Sequence, residues 1–139
     1  MFDNNPALTR EAVFDAGEAA ISKAITVAHE FVAECAAGAD AQAKLAIVVE
    51  ELVANIVEHG ACAPGSTISL RLSALGGDIG VTLSDEGCAF DPRLAERPDA
   101  PPERGGGAGL ALVRRWARIV DYSRADGRNL LTLVIPGHA

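Results

Sequence analysis

Residues 44–60 read KLAIVVEELVANIVEHG, and Leu45, Val48, Val49, Leu52, Val53 and Ile56 recur there at steps of three and four. That spacing predicts a helix with one buried stripe. Asp40 stands where it can cap the helix start, and Gly60 where it can end it. Upstream, Ala20, Ile21, Ala24, Ile25, Ala28, Phe31 and Val32 predict a second helix over residues 16–35, and residues 8–14 a short edge strand. Downstream the period falls to two. Ile68, Leu70 and Leu72 alternate with Ser69, Arg71 and Ser73, and Ile79, Val81 and Leu83 return after Gly76-Gly77-Asp78. This is a half-buried hairpin with a tight turn. Leu112, Val113, Trp116 and Ile119 predict a last helix over residues 110–119. Residues 120–124 and 130–136 then read as a closing strand pair joined by Ala125-Asp126-Gly127-Arg128-Asn129. Hairpin-linked strands with helices between them imply an α/β (α+β) sandwich, its sheet mixed or antiparallel with helices on one face.

Two polar residues interrupt the pattern of the central helix. Glu51 and Asn55 are four apart, so their side chains stack one turn from each other, and His59 continues the row. A carboxylate and a carboxamide in register on a rigid element can act as a base and an oxygen ligand. The plainer reading is a solvated helix face.

The chain has 139 residues, 49% of them apolar, and is read as a single domain over residues 1–139 with residues 1–7 as a loose end. It contains no run of eighteen apolar residues, so no membrane span is expected. The start MFDNNPAL lacks a basic stretch followed by an apolar one, so no secretory signal is expected either. Three scattered cysteines, Cys35, Cys62 and Cys88, suit reduced thiols in a cytoplasmic protein. His59 and Cys62 have no second pair to complete a zinc site, and Cys88 has no histidine placed to activate it. Trp116 is expected in the core. The net charge of −7 is concentrated in residues 1–60, where ten acids face three bases; residues 61–139 balance nine against nine. Such a charge disfavours direct nucleic-acid binding and could suit a basic protein partner. Any phosphate site must be assembled locally.

Two later segments offer one. Asp85-Glu86-Gly87-Cys88-Ala89-Phe90-Asp91-Pro92 begins where an apolar strand ends. There an acceptor-only carboxylate at Asp85 can receive the exocyclic amine of a base, and Gly87 leaves room for a flat ring. Alone, this segment is an ordinary turn as readily. Arg104-Gly105-Gly106-Gly107-Ala108-Gly109-Leu110 runs glycines into a helix start, placing amide donors around an anion. Alone, it is a hinge as readily. It lacks the Gly-Lys-Ser/Thr of a P-loop and the spacing of a dinucleotide fold. The whole stretch over residues 85–109, with four prolines (Pro92, Pro98, Pro101 and Pro102), is of a length that is uncommon inside a compact domain unless functional or disordered.

Taken together, Glu51-x-x-x-Asn55, Asp85-x-Gly87-x-x-Phe90-Asp91 and Gly107-x-Gly109-Leu110-x-Leu112-Val113-Arg114 resemble the N, G1 and G2 boxes of the GHKL ATPases. Within them the chain most resembles the anti-sigma-factor serine/threonine kinases of bacterial partner-switching systems, over about residues 8–136. The resemblance implies the Bergerat-type ATP-binding fold, with ATP or ADP lying between the central helix and a lid over residues 86–108. It further implies that Glu51 is the general base and that Asn55 ligates Mg²⁺. Asp85 would read adenine and Gly87 would make room for it. Gly105, Gly107, Gly109 and Leu110 would surround the phosphates, with Arg104 as a lid cation on the terminal phosphate. The implied partners are a sigma factor and its antagonist, a STAS-type protein carrying the serine or threonine substrate, and the family commonly forms homodimers.

The chain departs from the pattern in three places, one of them a lid rich in proline. Ala89 stands where many relatives have a second glycine, and Asn129-Leu130-Leu131 replaces the Gly-Thr pair of the last strand, with Thr132 as the candidate substitute. A second reading keeps the fold but drops the chemistry: a nucleotide-gated binding module. A third, the ATPase portion of a histidine kinase or mismatch-repair-type protein, is disfavoured for want of a phosphoacceptor helix.

Overall fold

The computed structural model describes residues 8–35, 37–93 and 106–137. In chain order the described elements are β1 (Thr9–Asp15), α1 (Ala19–Glu34), α2 (Ala39–His59), β2 (Thr67–Leu75), β3 (Asp78–Asp85), α3 (Gly106–Trp116), β4 (Arg118–Ala125) and β5 (Arg128–Ile135). Every described strand pair is antiparallel, and the sheet order is β1-β2-β3-β5-β4. Both hairpin turns carry the left-handed backbone that a two-residue connection needs, at Gly76 (φ 66°) and at Asp126 and Gly127 (φ 54° and 76°).

One face of the sheet makes the core. Ile68, Leu70, Leu72, Ile79, Val81, Leu83, Leu131, Leu133 and Ile135 are buried, while their alternates Ser69, Arg71, Thr82 and Thr132 are half-buried or exposed. The helices cover the buried face. On α2 the six residues of the apolar stripe are all buried, and α1 adds Ala20, Ala24, Ala28 and Phe31. Each large side chain so buried contributes about 1.5–3 kcal/mol of transfer free energy. Trp116 packs at the rim of this core with the Lys44 ammonium 5.6 Å above its ring. No described helix is long and apolar enough to cross a membrane.

Three element boundaries differ from the sequence expectation. Asp40 does not cap α2. It lies in the first turn, paired with Lys44 at 2.8 Å, and Gly38 flanks the helix start with no side-chain cap. A Cβ at Gly38 would stand 2.6 Å from the Gly137 carbonyl oxygen, so a close backbone approach decides that residue. The last helix begins at Gly106 and ends at Trp116, which moves Ile119 into β4.

Candidate functional site

The C-terminal half of α2, the end of β3 and the start of β5 enclose a cleft of about 600 Å³ of space, part of it open to solvent. Its apolar lining includes Leu52, Ile56, Leu83, Leu131 and Phe90; its polar lining includes Asn55, Asp85, Tyr122 and Asn129. A small apolar cleft with a few convergent polar groups is the usual form of a ligand site.

Asp85 owes its place to strand register. It shares the inward parity of Ile79, Val81 and Leu83, at the end of β3, where the sheet gives way to the cleft. The residue is 7% exposed. Its Oδ1 accepts the Gly87 N–H at 2.8 Å and the Asn129 Nδ2 amide at 3.1 Å. Its Oδ2 makes no hydrogen bond among the described residues and remains as an acceptor for a ligand.

Asn129 holds more than Asp85. It is 5% exposed and lies on β5 directly opposite Asp85. Its Nδ2 group also donates to the Cys88 carbonyl at 2.9 Å and, more remotely, to that of Gly87 at 3.4 Å. Its Oδ1 accepts from the Tyr122 hydroxyl and from Arg124 Nη1. Arg124 Nη1 also reaches the Gly87 carbonyl at 2.8 Å, and the Tyr122 hydroxyl accepts the Phe90 N–H at 3.1 Å. On the sheet side, Glu86 accepts from Arg128 at 2.7 Å and from the Thr67 N–H at 3.2 Å. Residues 86–90 are therefore pinned to the sheet at several points.

Gly87 meets a close backbone approach that the sequence did not reveal. A Cβ there would lie 2.8 Å from the Gly60 carbonyl oxygen and 2.9 Å from Asp85 Oδ1. The missing side chain thus makes room for the chain's own backbone, where Cys88 N–H bonds to Gly60 O at 2.8 Å. Thr132 is corrected. It shares the outward parity of Leu130 and Val134 and pairs with Thr82 across the face away from the helices, so it does not reach Asp85. Asn129 takes that place.

On α2, Asn55 lines the cleft and is half-buried, with no hydrogen bond among the described residues. Glu51 lies one turn earlier, outside the cleft lining, half-buried and likewise without a described partner. Burial pushes its carboxyl pKa up, and the negative charges of Glu50 and Glu58 push it further. Among the described residues no three histidine, cysteine or acidic side chains converge as a protein-only metal centre would need. A magnesium ion suits the site all the same, because Mg²⁺ is commonly held by one or two protein oxygens, waters and substrate phosphates. The Asn55 carboxamide is one such oxygen donor.

Gly107 and Gly109 fall in the first turn of α3, inside the helix. Leu110 is 7% exposed and does not line the cleft. Arg104 and Gly105, with most of the lid over 86–108, lie outside the described residues. None of Cys35, Cys62 and Cys88 forms a disulfide. Burial raises the Cys62 thiol pKa, as does the charge of Asp85, so the thiol stays protonated beside the cleft.

The sequence reading missed Asn129 as the partner of Asp85, and it missed Tyr122 and Arg124 altogether. A signal for Asn129 was present: it keeps phase with the inward residues Leu131, Leu133 and Ile135. A polar residue in a buried row needs a buried partner. Tyr122 and Arg124 gave none, because β4 alternates too weakly to show which residues face the cleft.

Residues 14–135 match the family described as the histidine kinase-like ATPase domain. A serine/threonine-protein kinase of Bordetella bronchiseptica, BtrW, is 37% identical over 98 residues, covering 64% of this chain and 66% of that protein. The chain thus spans just under two thirds of the length of that relative.

Proposed function

The chain belongs to the family of histidine kinase-like ATPase domains, and on that premise we propose that it is an ATP-dependent protein serine/threonine kinase of the anti-sigma-factor type. Its substrate is then a serine or threonine hydroxyl on an antagonist protein of STAS type, and its other partner is a sigma factor. The observation that carries the kinase reading is Glu51: a carboxylate of raised pKa without a partner among the described residues, one helical turn from Asn55 at the cleft. Nucleotide binding alone gives such a residue no part, so a nucleotide-gated binding module explains less.

In this reading each group has one task. Asp85 Oδ2 accepts the exocyclic amine of adenine, while Leu52, Ile56, Leu83 and Leu131 exclude water from the ring. Asn55 offers its carboxamide oxygen to Mg²⁺, which when bound neutralises charge on the phosphates. The glycine-rich start of α3 presents backbone N–H groups at a positive helix end, suited to phosphate oxygens. Glu51 accepts the proton of the incoming hydroxyl as its oxygen bonds to the terminal phosphorus and the bond to ADP breaks. A positioned base of this kind contributes about 10²–10⁴-fold. The relative's name, a serine/threonine-protein kinase, supports the reaction class. The sigma factor and antagonist rest on the resemblance of the three motifs to the partner-switching kinases.

The test is incubation with labelled ATP, Mg²⁺ and the small STAS-type proteins encoded nearby. Label on one serine or threonine, lost in Glu51→Gln while ADP still binds, supports the proposal. Transfer at the native rate by Glu51→Gln removes Glu51 as the base, and no label on any candidate protein favours the binding module.

A further inference from the structure

The hydrogen bonds around Asp85 are arranged so that the cleft meets one of its oxygens and not two. Oδ1 is occupied by the Gly87 N–H and the Asn129 amide, and Oδ2 has no described partner. The Asn129 amide cannot turn away from this task. Its oxygen faces two donors, Tyr122 Oη–H and Arg124 Nη1, so a flipped amide would set N–H groups against N–H and O–H groups. On the other side its nitrogen serves two acceptors, Asp85 Oδ1 and the Cys88 carbonyl. Tyr122 and Arg124 are themselves tied to the same segment, at Phe90 N–H and Gly87 O.

We infer that Asn129, oriented by Tyr122 and Arg124, is a positioning residue that leaves Asp85 a single acceptor oxygen and thereby selects adenine over guanine nucleotides. This inference rests on the reading of the cleft as an ATP site. The chemistry lies in the edges of the two bases. Adenine presents one exocyclic amine beside its ring acceptors, which a single carboxylate oxygen satisfies. Guanine presents an oxygen at that position, which the carboxylate repels. Its donors are a neighbouring ring N–H and amine, a pair that a carboxylate accepts only with both oxygens free. With Oδ1 already occupied, one guanine donor is left buried and unpaired, which costs on the order of tenfold to a hundredfold in affinity.

Calorimetric titration of the full chain with ADP and with GDP tests this in wild type, Asn129→Ala and Tyr122→Phe. Wild type is expected to prefer ADP. Asn129→Ala should lower ADP affinity roughly tenfold and lower the ADP-to-GDP affinity ratio by about as much, because Oδ1 then keeps only the Gly87 N–H and regains a lone pair for a second donor of the base. Tyr122→Phe removes one hydroxyl and should shift the ratio in the same direction by less. It decides the matter alone if Asn129→Ala does not fold. A merely structural role weakens both nucleotides equally, so an unchanged ratio in the variants overturns the inference while leaving the ATP site intact. Failure of the wild type to bind ADP overturns the site itself, and the inference with it.

Discussion

Replacing Asp85 by asparagine exchanges one carboxylate oxygen for an NH₂ group, removes the charge, and separates the fold from the ligand site. If the new carboxamide oxygen takes the place of Oδ1, it keeps the Gly87 N–H and the Asn129 amide as donors, at 2.8 Å and 3.1 Å in the native protein. Bonds to a neutral acceptor are about half as strong as those to a carboxylate, so the free protein should lose on the order of 1 kcal/mol. For a chain of this length that lowers Tm by a few degrees. The exchange at the Oδ2 position matters more. An NH₂ group replaces Oδ2 at the cleft and sets a donor against the donor amine of adenine. Losing the charge-assisted bond and gaining a donor–donor conflict should together cost about 3 kcal/mol, more than a hundredfold in ADP affinity. Inosine diphosphate carries an acceptor at the same ring position and should lose far less. Calorimetry with the two nucleotides, beside thermal melting of the free proteins, reads both quantities. ADP binding within threefold of wild type refutes Asp85 as the base reader. Equal loss of both nucleotides with a large fall in Tm refutes it too, as a purely structural residue.

Other perturbations test other parts of the account. Phosphotransfer should fail as pH falls through the Glu51 pKa, which burial raises above the ordinary value of 4.5, and a rate profile without that acid limb in wild type would exclude this base. A carboxyl whose pKa is raised by folding contributes stability below its unfolded pKa and loses it as pH rises through the folded one. Glu51→Gln should therefore gain stability relative to wild type at neutral pH, as melting curves at pH 4 and pH 7 will show. Gly87→Ala drives a methyl to within 3 Å of Gly60 O and Asp85 Oδ1; it should cost about 1–3 kcal/mol and abolish ADP binding, and an unperturbed variant contradicts the close approach. Phe31 is fully buried in α1, and Phe31→Ala should cost about 3–5 kcal/mol in urea unfolding; a loss below about 1 kcal/mol means that α1 does not close the core.

What the sequence disclosed and what it withheld follow from the range of the interactions involved. The stripe of α2 and the inward residues of β2 and β3 depend on neighbours within a few positions and form as read; both turns fall where expected but are tighter, with Asp78 already in β3 and Arg128 and Asn129 already in β5. The errors are long-range. Asp40 is a better cap than Gly38 by local chemistry, but the Gly137 carbonyl occupies the space that any side chain at 38 would need. Ile119 fits the helical spacing from Trp116, and the structure places it in β4, next to the irregularity between Ile119 and Asp121. The approach of Gly60 to Gly87, distant in sequence, is likewise beyond local pattern. The partner of Asp85 is fixed by the pairing of β3 with β5, which no local pattern specifies. Asp85 and Asn55 do meet at one cleft as the three motifs imply, whereas Glu51 lies a turn beyond its lining and Arg104 and Gly105 fall outside the described residues.

The claim on which all of this depends is that one nucleotide lies between α2 and the end of β3, and a crystal structure with Mg²⁺ and a non-hydrolysable ATP analogue tests it most directly. The account predicts the adenine amine on Asp85 Oδ2, the metal on the Asn55 carboxamide oxygen and the terminal phosphate toward Glu51. Analogue bound elsewhere on the chain, or in this cleft with the base turned away from Asp85, contradicts it.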